Sequence, residues 1–236
     1  MKLKIADFYV ELSNKGEIFT RLCKDFMCED APHIDFATSV VEEDIAFEKQ
    51  MAEEEVTVAN CAANAFFRKF CAYALENNAF MMHGALVEYK GRGYLFTAHS
   101  GTGKTTHIRL WQQLFGEDKV VIVNGDKPII RFIDGKVYAY GTPWNGKEHY
   151  GTNGRVELSA ICFLERDKEN SIKKIADFEA LPRIFSQIMI HDSTNLAKQM
   201  ELVDGLLEKV PTYILKCNMD VEAAKVAYEG MSEVSK

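Results

Sequence analysis

No apolar run in this 236-residue chain approaches the ~20 residues needed to cross a bilayer, which excludes a membrane-spanning helix. A surplus of basic residues is also missing. The formal net charge is −7, which argues against a nucleic-acid-binding protein. It leaves phosphate ligands open, because a few local cations and backbone amides suffice for those. There is no Cys-x-x-Cys pair: Cys23, Cys28, Cys61, Cys71, Cys162 and Cys217 lie scattered, mostly in apolar stretches. They read as reduced core thiols. Zinc is the alternative, but Cys23 with Cys28 has no matching second pair. The opening Met1-Lys2-Leu3-Lys4-Ile5-Ala6-Asp7 reaches an acid before any signal-peptide core develops, so the expected location is cytoplasmic. Repeats and low-complexity tracts are absent too. What is present is 47% hydrophobic and 27% charged residues, the profile of a globular protein with a real core.

Strand-like runs are expected at Phe8–Leu12 and Glu17–Leu22, followed by an acid-rich, solvated segment at Val41–Glu55. Between Asn60 and Glu76, Ala63, Phe67, Phe70 and Ala74 recur at helical spacing, with Asn60 as a candidate cap. This helix is expected to pack on the C-terminal remainder of the chain, giving one domain over residues 1–236: N-terminal strands and helix (1–80) on a core (81–236). Ala85–Tyr89 and Tyr94–Ala98 read as a hairpin turned by Lys90-Gly91-Arg92-Gly93. A helix from Lys104 to Phe115 carries Ile108, Trp111 and Phe115 on one stripe and ends at Gly116. Lys119–Val123 reads as a buried central strand. Ile129–Ile133 and Lys136–Tyr140 flank Asp134-Gly135, a strong hairpin signal. Gly141–Arg155 loses all periodicity and reads as a long functional loop. Val156–Leu164 is a second buried strand, Ser171–Ile175 an edge strand, and two helices, a strand (Thr212–Cys217) and a helix near Val221–Gly230 complete the chain. The expected fold is α/β with a mixed sheet.

Between the hairpin and the helix stands Ala98-His99-Ser100-Gly101-Thr102-Gly103-Lys104-Thr105-Thr106. Glycines let bare backbone curl around phosphate oxygens with several amides pointing inward. A lysine there reaches the β- and γ-phosphates, and the following hydroxyl holds Mg²⁺. The phosphate-binding candidates are therefore Ser100, Gly101, Thr102, Gly103, Lys104, Thr105 and Thr106, with ATP and Mg²⁺ as the ligands. Ala98 stands where the strict pattern has its first glycine. The core G-x-G-K-[ST] arises by chance in such a chain on the order of once in a hundred, and here it sits between a strand and an amphipathic helix, as its chemistry requires. A second acid is needed at the end of a neighbouring strand. Asp126, after Asn124-Gly125, fits that role and joins Thr105 as a metal ligand; a turn residue paired with Lys127 is its alternative.

Residues 83–106, HGALVEYKGRGYLFTAHSGTGKTT, resemble the nucleotide-binding segment of HPr kinase/phosphorylases and, more distantly, of ATP-dependent phosphoenolpyruvate carboxykinases. The resemblance to the first runs without a gap from His83-Gly84 through Gly91 and Gly93 to Lys104. It implies a P-loop on a mixed sheet, a hairpin before the loop and an Asp-Asp pair after the P-loop helix. Of that pair only Asp126 is present. Gly125 replaces the acid that, in the family, is taken to activate the acceptor hydroxyl. The family's C-terminal Arg-Gly segment is not recognisable after Val156, so protein HPr is not the expected acceptor. Asn124–Arg131 (NGDKPIIR) and Gly141–Glu148 (GTPWNGKE) resemble a group of small HPr kinase-like proteins, a likeness that covers most of the chain and brings no substrate with it.

The resemblance also names catalytic candidates beside Lys104 and Asp126. Arg155 stands in an Asn-x-Arg setting like that of a phosphate-contacting arginine in carboxykinases, or is a surface residue. His83 carries over from the His-Gly of HPr kinases, or is structural. Lys147 is a weaker candidate for the γ-phosphate. Trp144 either stacks on the adenine, caps the acceptor or anchors the loop. His99 lies inside the loop with its side chain expected to point away from phosphate, whereas Glu148, His149 and His191-Asp192 are further residues whose approach to an acceptor the sequence leaves open. The expected activity is a kinase acting on a hydroxyl of a small molecule or of a peptide or protein serine. The alternatives are a nucleotide-binding regulatory protein without phosphotransfer and a carboxykinase-type enzyme, and homo-oligomerisation is left open.

Overall fold

The computed structural model describes residues 1–52, 54–189 and 195–232. The chain opens with β1 (Lys2–Ile5) and β2 (Phe8–Leu12), whose alternate residues are buried. Their tight turn puts Ala6 and Asp7 at φ 51° and 59°, the left-handed pair that a two-residue hairpin of matching twist requires. β3 (Phe36–Thr38) adds parallel to β2. The run expected as a strand at Glu17–Leu22 is instead helix α1 (Glu17–Cys23): Phe19 and Cys23 are buried, while Arg21, which would share their face in a strand, is exposed. The acidic segment forms α2 (Glu42–Met51), which buries nothing and ties itself down through Asp44 to Lys69 (2.6 Å) and Glu48 to Arg68 (2.7 Å). Both partners lie on α3 (Val58–Glu76), capped by the Thr57 hydroxyl accepting from the Asn60 amide at 3.1 Å; Asn60 lies inside the helix.

Among the described residues the second sheet has nine strands. β4 (Ala79–Met81) pairs with β8 (Ile129–Ile133), then come β9 (Lys136–Tyr140), β10 (Arg155–Arg166), β6 (Arg92–Thr97), β5 (Ala85–Tyr89) and β7 (Val120–Asn124), in that order. β12 (Thr212–Cys217) lies beside the second half of β10, with β11 (Ser171–Lys174) at its edge. β10 is parallel to β6 and to β12, and every other pair in this sheet is antiparallel, so the sheet is mixed. Two hairpins turn on left-handed pairs, Lys90-Gly91 and Asp134-Gly135.

Alternation along the strands sends neighbours to opposite faces. Leu95, Ile161 and Phe163 pack beneath α5 (Asp177–Phe185) and α6 (Leu196–Lys209). Tyr94, Phe96, Ala160 and Cys162 pack beneath α4 (Lys104–Phe115) and α7 (Glu222–Ser232). A third cluster joins β1, β2, α1 and α3 to Ile129, Tyr140 and Trp144 of the large sheet and its loop. Because β7 is antiparallel to β5 and β5 to β6, β6, β7 and β10 all end on the same side of the sheet. That side carries the candidate site.

One buried group in α4 makes stability depend on pH. His107 accepts from Trp111 Nε1 at 3.2 Å, while its Nδ1 has no hydrogen-bond partner among the described residues. Burial pushes its imidazole down to about 3. The unfolded chain therefore binds a proton that the folded chain refuses between about 6.5 and 3, so stability falls as pH falls through that window. The loss is about 2 kcal/mol between pH 7 and pH 5. Urea unfolding of wild type and His107→Gln at both pH values should show this part of the slope only in wild type.

Candidate functional site

β6 leads from Thr97 directly into the glycine loop. Gly101 and Gly103 have φ of 76° and 121°, and a Cβ on either would meet nothing within 4 Å. Backbone conformation, and not space, is what demands glycine here. Ala98 has no such requirement, as it does not take a positive φ, and its methyl is buried. The Thr102 amide donates to the His99 carbonyl at 3.2 Å and closes the loop. α4 then begins at Lys104 with Gly103 at its N-cap and no side-chain cap. The first-turn amides of a helix have no intrahelical acceptor, and its dipole is positive there, so this end suits an anion.

Lys104 is buried, and its Nζ donates to the Ala98 carbonyl at 3.0 Å. Burial pushes its ammonium below the ordinary value, and Asp126 pulls it back up. Thr105 follows in the first turn, half-buried, with Thr106 exposed beside it. Ser100 and the His99 side chain are exposed on the loop.

Asp126 is presented by a buried asparagine. Asn124, at the end of β7, accepts from the amides of Asp126 (2.9 Å) and Lys127 (2.7 Å), and its Nδ2 donates to Thr142. The carboxylate meets His83 Nε2 at 3.3 Å. His83 sits just before β5; its carbonyl accepts from the Thr97 hydroxyl at 2.7 Å, and its Nδ1 faces Gln187 Oε1 at 3.1 Å. Burial opposes ionisation of Asp126, but the His83 hydrogen bond and the charges of Lys127, His83 and Lys104 outweigh it and hold the carboxyl below its ordinary value. Lys104, Asp126 and His83 are thus brought together at the ends of β6 and β7.

The 141–155 loop closes over this region from the side. Trp144 is buried among Phe66, Phe67 and Phe70 of α3, with ring centroids at 5.2, 4.9 and 5.7 Å, and its Nε1 donates to the Ala63 carbonyl. It anchors the loop, with its ring in the core. Thr152 donates its amide to Val123, and Gly125 donates to Tyr150 at 2.8 Å, so residues 150–152 lie along the end of β7. A Cβ on Gly125 would stand 2.9 Å from the Asn145 carbonyl and 3.2 Å from that of Tyr150. Backbone of the loop fills the space an acid at position 125 would need. Gly146 also approaches Asp126: its Cβ position is 3.2 Å from Asp126 Cβ and 3.8 Å from Glu148 Oε2. Lys147, Glu148 and His149 are exposed at the tip.

Arg155 is not brought to this site. It opens β10, and β10 runs parallel to β6, with Phe163 opposite Thr97. Eight residues of strand put it roughly 25 Å from the glycine-loop end. There it donates to Asp7 (2.8 Å) and to the Tyr140 hydroxyl (3.2 Å), in an open cleft shared with Lys4 and Asn153. The opposite end of the same strand supplies a different arginine. Arg166 donates through Nε to the Thr102 carbonyl at 3.2 Å and through a terminal nitrogen to the Gly101 carbonyl.

No protein-family model and no curated protein sequence matches the chain. Among solved structures, the chain is similar to the Hpr(Ser) kinase/phosphatase from Coxiella burnetii, with a TM-score of 0.41 and 8% identity, covering 66% of this chain and 99% of that one.

His191 and Asp192 lie outside the described residues. Among the described residues no group of three or more His, Cys, Asp or Glu side chains is placed to hold a metal ion, and none of the six cysteines is in a disulfide. Two partners at the site do not emerge from the sequence reading. Gln187 reaches His83 across 104 positions and has no local signal. Arg166 has no local signal either, because its place beside the loop depends on the parallel register of β10 on β6.

Proposed function

We propose that this chain binds a magnesium nucleoside triphosphate, ATP in the first instance, on the 98–106 loop and transfers its γ-phosphate to a hydroxyl. The observation that carries the reading is the convergence of Lys104, Asp126 and His83 beside an uncapped helix N-terminus. On this reading the loop is a P-loop of the HPr kinase and carboxykinase type. Lys104 exchanges the Ala98 carbonyl for phosphate oxygens, and the first-turn amides take the remainder of the triphosphate. Mg²⁺ usually keeps several waters and takes one or two protein oxygens plus phosphates, so it needs no protein cage. The donors fit: an ionised Asp126 carboxylate, held in place by His83, and the Thr105 hydroxyl. When bound there, Mg²⁺ would supply charge neutralisation for the triphosphate. An acceptor oxygen then bonds to the γ-phosphorus as the bond to the β–γ bridging oxygen breaks, ADP departs, and the hydroxyl proton passes to water. A loose transition state asks mainly for positioning and charge neutralisation, which these residues offer. The acceptor is a small molecule or a peptide or protein serine.

The second reading, nucleotide binding without transfer, is favoured by Gly125, whose missing acid is replaced by loop backbone. A carboxykinase activity would need further metal ligands. γ-Labelled ATP incubated with the protein and a host-cell extract separates these. Label appearing in one acceptor, identified by mass spectrometry, is the expected result. ATP binding with no turnover would leave the regulatory reading standing, and no binding of any Mg²⁺-nucleotide would end both.

A further inference from the structure

We infer that Arg166 is a positioning residue for the triphosphate site, acting on the loop backbone; this rests on the nucleotide reading above. Its guanidinium holds the carbonyls of Gly101 and Thr102, two successive peptide units. All peptide bonds described are trans, and in a trans peptide the N–H points opposite to the C=O. Fixing both carbonyls toward β10 therefore fixes the amides of Thr102 and Gly103 away from it. The first of these closes the loop on His99, and the second is left to join the first-turn amides of α4 as a phosphate donor. Gly101 and Gly103, both at positive φ and open on the side where a Cβ would lie, carry no side chain whose packing could help to hold these planes. The planar fork of arginine suits the task, because one side chain spans two acceptors. Placed on the strand next to β6, Arg166 also keeps the loop in register with the sheet.

The role predicts a dependence on hydrogen-bond donation as distinct from charge. Arg166→Ala, Arg166→Gln and wild type should be titrated with Mg²⁺-ATP and with Mg²⁺-tripolyphosphate, which has no base or sugar. Arg166→Ala is expected to weaken both ligands about tenfold or more, a change of the size of one lost charge-assisted bond. Its melting temperature without ligand should stay near wild type, because the side chain is exposed. Arg166→Gln, which keeps an amide donor and no charge, should recover part of the affinity. Equal affinity in Arg166→Ala and wild type would overturn the inference, and so would Arg166→Gln behaving like Arg166→Ala, since that points to charge acting on phosphate directly. Failure of wild type to bind either ligand would instead remove the nucleotide reading, and this role with it.

Discussion

Lys104→Met should weaken Mg²⁺-ATP binding by roughly a hundredfold or more while leaving the ligand-free protein at least as stable as wild type. The two halves of this expectation have one cause. Losing one partner of a close charge pair costs about 2–5 kcal/mol, and each 1.4 kcal/mol is about tenfold in affinity. Without ligand, the Lys104 ammonium is buried against a single carbonyl, and burial drives it below its ordinary 10.5 with only Asp126 opposing. A lysine lowered in the fold holds its proton less tightly than in the unfolded chain. Its charge therefore destabilises the fold at neutral pH, and stability recovers only as pH rises from the folded value toward 10.5. Methionine keeps the stem's bulk and removes the charge. Isothermal titration with Mg²⁺-ATP, together with thermal melts in its absence, measures both halves. Unchanged affinity would show that the phosphates do not lie at Lys104. A large drop in melting temperature would show that the lysine is part of the scaffold.

Local rules account for the elements legible in the sequence. α4 spans Lys104–Phe115 as expected because Gly103 and Gly116 bracket it, and Gly116 takes φ 101°, which favours glycine. β8 and β9 were bounded by Asp134-Gly135 for the same kind of reason. β1, β3 and β4 are short, and their pairing partners are what make them strands; β4, for instance, pairs with β8, about fifty residues on. Glu17–Cys23 misled because its apolar residues fit both periods over so few positions. The site divided along the same line. Lys104 and Asp126 follow from glycine spacing and from the end of a buried strand. Arg155 and Arg166 stand at opposite ends of β10, and the parallel register of β10 on β6 puts Arg166, not Arg155, beside the glycine loop. Gly125 read as a lost acid, whereas its close contacts with Asn145 and Tyr150 show a position where any side chain would displace the loop.

Trp144→Ala should cost about 3–5 kcal/mol, as expected for removing a large buried aromatic, and should also weaken nucleotide binding without touching a nucleotide-contacting residue. Trp144 belongs to the cluster that joins α3 and the N-terminal strands to the large sheet. The six residues after it cover Gly125 and Asp126. Pulling this anchor should therefore loosen the loop over the carboxylate as well as the seam. We propose on the same ground that residues 1–80 and 81–236 unfold as one unit. The chain has two tryptophans, Trp111 and Trp144, and they sit in different clusters, so single-tryptophan variants report on each side separately. Urea unfolding of Trp144→Phe, followed at Trp111, and of Trp111→Phe, followed at Trp144, should each coincide with the same variant's circular dichroism transition. Fluorescence and circular dichroism midpoints that separate within one variant would make the N-terminal strands and helices an independently folding unit. In that case Trp144→Ala would leave the Trp111 transition in place, whereas a single unit requires that transition to move by the full cost of the lost ring.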